Sequence, residues 1–169
     1  MLERKRTRLK EFDYSSSNYY FITICTQNKT SLFGNVNNET LLLNGIGEIV
    51  KKCWLEIKEH FTNIDLDEFV IMPNHFHGII IIDGIVGLRS PQPDAITKQF
   101  SLSQIVAYFK YQSTRKVNEQ RPAANGKVWQ RSFYDRIIRN EKELYMIRNY
   151  IRYNASKWND VLGEENLEL

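Results

Sequence analysis

His75 and His77 are separated by a single residue within segment 69–82, which reads Phe-Val-Ile-Met-Pro-Asn-His-Phe-His-Gly-Ile-Ile-Ile-Ile. In an extended chain, side chains two residues apart project from the same face, and two neighbouring imidazoles suit one divalent metal. The four consecutive isoleucines at 79–82 make both faces of the strand apolar, which indicates a central, covered strand that would hold the site rigidly. The alternative is that both histidines are merely polar residues where a buried strand leaves a loop.

A second set of reactive side chains lies on a helix predicted near the C-terminus. At about 100° per residue, its apolar stripe consists of Leu144, Ile147 and Ile151. Tyr150 and Asn154 lie one turn apart on a flank of that stripe. The residues that point roughly the opposite way are Arg148, Arg152 and Tyr145. Packed beside the histidine strand, the helix could aim Tyr150 at a metal as an attacking phenol and the Asn154 amide oxygen as a third ligand. Alternatively, Tyr150 is a packing residue, which is the usual role of a tyrosine beside an apolar stripe.

The elements that must position these residues follow from apolar periodicity and turn signals. In order, they are a strand over 19–27, a helix over 46–61, a strand over 66–72, the histidine strand to 82, a helix over 102–118, a strand over 133–138 and a helix over 141–158. Segment 33–44 is polar and predicts a loop or a short hairpin. The first six elements match an α+β, ferredoxin-like split β-α-β fold, with four antiparallel strands and two helices on one face. The last helix is an addition that is free to carry function.

The length of 169 residues suits a single domain over 1–169. Within it, residues 1–14 are predicted to form a basic arm. Residues 83–100, which are rich in Gly and Pro, are predicted to form a mobile loop. No apolar run approaches membrane-spanning length, and the two cysteines suit free thiols in a reducing compartment, so we expect a cytoplasmic protein that does not enter a membrane.

The net charge of +3 is modest, but the basic residues are clustered. One cluster is the N-terminal arm. The other occupies the second half of the chain and consists of Lys110, Arg115, Lys116, Arg121, Lys127, Arg131, Arg136 and Arg139. Such clusters can neutralise the phosphates of a nucleic acid, although they also occur as ordinary solvated faces.

With these residues assembled, the chain resembles the single-tyrosine HUH transposases, which nick and rejoin DNA in the smallest insertion sequences. It looks closest to their REP-associated tyrosine transposase relatives. Three segments carry the likeness: Met-Pro-Asn-His-Phe-His at 72–77, Trp-Gln-Arg-Ser-Phe-Tyr-Asp-Arg-Ile-Ile-Arg-Asn at 129–140, and Tyr-Ile-Arg-Tyr-Asn at 150–154. One departure is Ala155, where the REP-associated relatives usually carry proline, and this leaves the helix free to continue.

The resemblance implies a role for each matching residue. His75 and His77 would be the metal-binding pair, with Asn154 assisting, and the metal would be Mg²⁺ or Mn²⁺. Tyr150 would be the nucleophile, with Tyr153 and Tyr145 as reserve candidates. The residues expected to contact DNA are Lys110, Arg115, Trp129, Arg131, Arg136 and Arg139, by gripping phosphates or stacking on bases. The alternative for Trp129 and its apolar neighbours is a place in the core.

The function that the resemblance implies is cleavage and rejoining of single-stranded DNA containing a hairpin, through a metal-assisted 5′-phosphotyrosine intermediate. Two alternatives belong to other classes. One is a metal-dependent nuclease that forms no covalent intermediate, and the other is a domesticated, non-catalytic DNA-binding protein. The resemblance allows either a monomer or a homodimer in which two subunits exchange the last helix.

Overall fold

The computed structural model describes residues 13–83, 100–122 and 126–158. Its strands are β1 (Asn18–Cys25), β2 (Gly34–Asn37), β3 (Thr40–Leu43), β4 (Ile64–Met72), β5 (His75–Ile82) and β6 (Tyr134–Ile138). Its α-helices are α1 (Gly45–Leu55), α2 (Ile57–His60), α3 (Leu102–Gln120) and α4 (Glu141–Arg152). Most of the predicted basic arm and nearly all of the predicted mobile loop lie outside the described residues.

The main sheet has four strands in the order β4-β5-β1-β6, with every neighbouring pair antiparallel. This strand order, with α1 and α2 before β4 and α3 before β6, confirms the ferredoxin-like α+β prediction. The histidine strand β5 is central, as predicted. Segment 33–44 is the predicted hairpin alternative, because β2 and β3 pair with each other in a separate two-stranded sheet. No helix in the described part of the chain combines the length and apolar composition that a membrane crossing requires.

The two faces of the sheet are covered by different helices. Alternate residues of β1 and β5, among them Ile22 and Phe76, enter a large core beneath α1, α2 and α3. Their neighbours Phe21 and Ile79 enter a smaller core on the other face. That core includes the predicted apolar stripe of α4: Leu144, Ile147 and Ile151. Because His75 and His77 share the parity of Ile79, both lie on the face that α4 covers.

Two predicted helix boundaries were wrong. The helix predicted over 46–61 is divided at Glu56 into α1 and α2. The last helix ends at Arg152 rather than near 158, and a 3₁₀ turn follows at Ala155–Lys157. Tyr153 leaves helical geometry with φ −97° and ψ 12°, and the next residue, Asn154, is buried beside His75 and Tyr150, whose pKa values it shifts. Asparagine side chains that interact locally in this way disfavour continuation of a helix.

Gly78 makes room for the packing of α1 against the histidine strand. A Cβ at this position would lie 2.8 Å from Cε1 and Cζ of Phe76 and 2.8 Å from Cζ2 of Trp54, and both rings are fully buried. Gly78→Ala is therefore expected to lower the free energy of unfolding by about 1–3 kcal/mol, because the core is overpacked. Urea denaturation measures the change.

The matched control is Gly45→Ala, since a Cβ at Gly45 would meet nothing within 4 Å. This exposed position begins α1, so alanine should be neutral or slightly stabilising there. Equal stability of Gly78→Ala and the parent protein would show that the Trp54 ring has space to shift.

Candidate active site

The two imidazoles lie side by side on the sheet, as the spacing predicts. Their ring centroids are 4.6 Å apart, and the His77 side chain is 1% exposed. The pairing of β5 with β1 places Cys25 opposite His75 and Thr23 opposite His77. The histidine pair therefore lies on the central strand β5, which is hydrogen-bonded to β1 on one side and to β4 on the other.

Each imidazole is fixed through its Nδ1 atom. His75 Nδ1 lies 2.7 Å from the Asn74 side-chain oxygen, and His77 Nδ1 lies 2.8 Å from the Thr23 hydroxyl. An amide oxygen can only accept, so Nδ1 of His75 carries the proton and its Nε2 keeps a lone pair. The Thr23 hydroxyl can accept in the same way from His77. This arrangement leaves the Nε2 atoms as the nitrogens available for a ligand.

Burial keeps both rings neutral. It lowers the pKa of His75 to about 4, although the side chain of Asn154 acts in the opposite direction. Burial also lowers the pKa of His77 well below its ordinary value, and the neighbouring His75 adds to this effect. At neutral pH the two histidines therefore offer lone pairs rather than positive charges, which is the state that binds a metal.

Tyr150 reaches this pair from α4. Its hydroxyl lies 3.3 Å from Nε2 of His77, and its ring packs edge-on against Phe21 with centroids 6.1 Å apart. The buried side chain of Asn154 lies close enough to Tyr150 and His75 to shift the pKa of both. Burial raises the pKa of the Tyr150 phenol, and Asn154 lowers it in part. The structure thus brings together all four residues predicted for catalysis and metal binding.

The reserve tyrosines are placed differently. Tyr153 and Tyr145 are 61% and 66% exposed, so their side chains point to solvent rather than into the site. Trp158 approaches His75 instead, with ring centroids 6.0 Å apart. Sequence reasoning missed Thr23 and the Asn74 side chain. The one signal that could have found Thr23 is its place in the strand that pairs with the histidine strand.

The beginning of α4 is fixed to β6 by Glu143. One carboxylate oxygen accepts from Arg136 Nε at 2.8 Å, and the other accepts from the Arg139 backbone N–H at 2.8 Å. Asn140 caps the helix, because its side-chain oxygen accepts from the Glu143 backbone N–H. Only two residues separate β6 from α4, so these bonds set the direction in which the helix leaves the sheet.

A pH-dependent loss of stability follows from this carboxylate. The pKa of Glu143 is lowered chiefly by the Arg139 backbone N–H, with burial acting against it and Arg136 adding to it. An unfolded Glu has a pKa of about 4.3, so the carboxylate stabilises the fold above that pH. The stabilisation disappears as the pH falls through the lower, folded pKa.

Glu143→Gln is therefore expected to cost about 1–3 kcal/mol of unfolding free energy at pH 7 and much less at pH 3. Denaturation followed by circular dichroism at the two pH values measures this. Glu141→Gln, an exposed change in the same helical turn, is the control. A cost that is equal at both pH values would show that the Glu143 charge is irrelevant.

Four of the six residues predicted to contact DNA line one cavity of about 360 Å³: Lys110, Arg115, Trp129 and Arg131. The Lys110 ammonium donates to the carbonyl oxygens of Gln130 and Arg131, which ties α3 to the segment before β6. Tyr111, which is 65% exposed, also lines the cavity, and sequence reasoning missed it.

Several of the predicted DNA contacts have partners within the protein, among them Arg115, whose guanidinium bonds Gln112 and lies near Glu119. Trp129 is 4% exposed, packs against Phe33 and Phe109 and donates its indole N–H to Ser113. Its ring therefore belongs to the core, as the alternative predicted, and offers no open face for stacking. Arg136 is bound to Glu143. Arg139 is exposed at the start of α4, away from the cavity-lining set.

Within the described residues, no cluster of three or more His, Cys, Asp or Glu side chains could hold a metal ion. A metal at this site would therefore need ligands of another kind besides the two histidines. The Asn154 amide is one such group, and water or a substrate phosphate could complete the set.

Comparison with known proteins gives one family. A sequence profile described as "Transposase IS200 like" matches residues 95–154. An uncharacterized protein of Haemophilus influenzae is 42% identical in an alignment 164 residues long that covers 92% of this chain and 89% of the relative. A provisionally named REP-associated tyrosine transposase of the same organism is 26% identical in an alignment 154 residues long that covers 86% of this chain and 74% of the relative.

Two solved structures share the fold. One is a REP-associated tyrosine transposase bound to a REP hairpin, with a TM-score of 0.59 and 19% identity, covering 93% of this chain and 74% of that one. The other is a provisionally assigned transposase from Deinococcus radiodurans R1, with a TM-score of 0.51 and 16% identity, covering 86% and 96%.

Fold and site together define a ferredoxin-like domain in which an added helix presents a tyrosine to two histidines of the sheet. The chain belongs to the IS200-like transposase family, as the sequence resemblance predicts.

Proposed function

We propose that this protein cleaves and rejoins single-stranded DNA containing a hairpin, through a 5′-phosphotyrosine bond to Tyr150. The observation that carries the proposal is the position of the Tyr150 hydroxyl, 3.3 Å from Nε2 of the buried His77. Membership of a transposase family supports the reaction class. Because His75, His77 and Tyr150 come from one chain, we propose that a monomer is sufficient, with an exchanged homodimer as the alternative.

A divalent cation fits the donor set of this site. His75 and His77 would hold it through Nε2, and Asn154 would be the third protein ligand. When bound, the cation would polarise the scissile phosphate and stabilise the charge that develops on it.

Tyr150 performs the covalent step. Its oxygen attacks phosphorus, the oxygen–phosphorus bond to Tyr150 forms, and the bond from phosphorus to the 3′-oxygen breaks. The phenolic proton is lost to solvent and the departing 3′-oxygen takes one up. The phosphotyrosine bond is a diester like the bond it replaces, so a second 3′-hydroxyl can reverse the step without ATP. Rejoining to a different strand is then strand transfer.

The DNA flanking the cleavage site is proposed to follow the basic cavity beside α3. Arg115 and Arg131 supply positive charge there, and the exposed Tyr111 supplies a ring on which an unpaired base can stack. A hairpin substrate is proposed because a solved relative with the same fold is bound to a REP hairpin. The proposed compartment is the cytoplasm, since Cys25 and Cys53 are buried free thiols.

The test uses the full-length protein with a pool of single-stranded hairpins that carry randomised flanks and a 3′ label. In Mg²⁺ or Mn²⁺, we expect labelled DNA to remain attached to protein on a denaturing gel, with the attachment mapped to Tyr150 by peptide mass spectrometry. Labelled fragments with free 5′-phosphates would instead indicate a nuclease. Hairpin binding without cleavage would indicate a non-catalytic DNA-binding protein.

A further inference from the structure

The edge strand β4 contains a bulge, and two acidic residues occupy it. The register against β5 shifts between Leu66, which is opposite Ile80, and Phe69, which is opposite Gly78. Leu66 and Phe69 both pack on the large core beneath α1, α2 and α3, although residues three apart in a regular strand point to opposite faces. The extra residue of the bulge makes this possible and places Asp67 and Glu68 between the two apolar residues.

Both carboxylates of the bulge contact α4. Asp67 accepts from Arg148 Nε at 3.1 Å to each oxygen and from Nη2 at 2.5 Å. Glu68 accepts from Arg152 Nε at 3.0 Å and from Nη2 at 2.5 Å. Consecutive residues of a regular strand could not both face one helix, so the bulge is what lets two adjacent carboxylates grip the same element.

These ion pairs lie towards the C-terminal end of α4, whereas the contacts of Glu143 lie at its N-terminal end. The helix begins beside β6, where Glu143 is bound, and reaches β4 at the opposite edge of the sheet. It thus crosses over β1 and β5, with Tyr150 above the histidines. Arg148 and Arg152 stand two residues before and two residues after Tyr150, on the other flank of the apolar stripe.

We propose that Asp67 and Glu68 are positioning residues, whose ion pairs hold the last turn of α4 so that the Tyr150 hydroxyl stays beside His77. The inference rests on the proposed function for its catalytic consequence. Neither carboxylate touches the reacting atoms. A reactive group displaced by about 1 Å can lose roughly 100-fold in rate, so small shifts of this helix would be costly.

The two pairs are unequal. The Asp67 side chain is 12% exposed and its pair with Arg148 involves two nitrogens and both oxygens, whereas the Glu68 side chain is 31% exposed. Exposed pairs are screened by solvent and contribute little. Asp67 is therefore the main anchor and Glu68 the lesser one.

The first experiment compares Asp67→Asn and Glu68→Gln with the parent protein. We expect the single-turnover rate of adduct formation to fall by roughly 10- to 100-fold for Asp67→Asn and less for Glu68→Gln, with unchanged hairpin affinity. In hydrogen exchange, the amides of α4 should exchange about tenfold faster in Asp67→Asn, while those of β1 and β5 stay protected. Lys142→Gln, an exposed change on the same helix, is the matched control.

The second experiment is a charge swap at the more exposed pair. Glu68→Arg places two like charges together and should slow adduct formation further than Glu68→Gln. The double variant Glu68→Arg with Arg152→Glu restores an attractive pair and should recover most of the rate and of the α4 protection. A merely destabilising substitution would not be rescued in this way.

The two proposals fail differently. If the parent protein forms no adduct, the proposed function fails, and hydrogen exchange still decides whether the bulge holds α4. The positioning proposal is overturned if Asp67→Asn leaves both the rate and the α4 protection unchanged. It is also overturned if Asp67→Asn loosens the whole sheet equally, or if the charge swap recovers nothing.

Discussion

A Tyr150→Phe variant is expected to form no covalent adduct with DNA and to lose at least about 1,000-fold in cleavage rate, because the attacking oxygen is gone. The change removes one atom from a side chain whose ring packs against Phe21. The fold should therefore survive, at a cost of about 1 kcal/mol for the lost hydrogen bonds. A denaturing gel measures the adduct, and a filter-binding assay measures the retained affinity for the hairpin.

The controls for this variant are the two exposed tyrosines nearby. Tyr153→Phe and Tyr145→Phe should form the adduct at the parental rate, because their hydroxyls point to solvent. Adduct formation that persists in Tyr150→Phe and disappears in Tyr153→Phe would transfer the nucleophile to Tyr153. Persistence in all three variants would remove tyrosine from the reaction.

A His77→Ala variant is expected to bind Mn²⁺ at least 100-fold more weakly than the parent protein and to lose cleavage to a similar extent. The imidazole is one of two nitrogen ligands proposed for the cation, and its Nε2 faces the Tyr150 hydroxyl. Isothermal titration with Mn²⁺ measures the affinity without any need for activity. His75→Ala should show the same loss and, at a less buried position, a smaller change in stability.

Thr23→Val provides a graded comparison, because it keeps the side-chain shape and removes the hydroxyl beside His77 Nδ1. Loss of such a supporting hydrogen bond typically lowers metal affinity about 10- to 100-fold. The expected order of Mn²⁺ affinity is therefore parent, then Thr23→Val, then His77→Ala. If His77→Ala binds Mn²⁺ as tightly as the parent protein, His77 is not a metal ligand. If only Thr23→Val does so, the hydrogen bond between Thr23 and His77 does not support metal binding, and the assignment of His77 stands.

The features of the fold and site that could be predicted are those that depend on the regular repeat of side-chain direction along a strand or a helix. Side chains alternate along a strand, so His75 and His77, two residues apart, lie on one face. A helix has about 3.6 residues per turn, so Tyr150 lies beside the apolar stripe of α4 rather than within it. Local geometry decides both relations, so the chain alone reveals them. The ferredoxin-like order of strands follows in the same way from the sequence of element types.

The contacts that were missed join distant parts of the chain. Arg148 and Asp67 are 81 residues apart, and the bulge that brings Glu68 to the same helix has no signature in the letters Leu-Asp-Glu-Phe. Helical periodicity placed Arg148 and Arg152 on the correct side of α4. It could not show that this side faces the acidic residues of β4. The burial of Trp129 was likewise undecidable, because an aromatic residue suits a core and a DNA surface equally.

The bulge in β4 also bears on how the protein behaves at high concentration. Among the described strands, β4 forms one border of the sheet and the five-residue β6 the other. A long, flat edge strand can pair with the edge strand of a second molecule and so promote aggregation. A β-bulge with acidic residues in the edge strand opposes such edge-to-edge pairing. The same irregularity should therefore favour solubility, and straightening it by deleting one residue should promote fibrous aggregation.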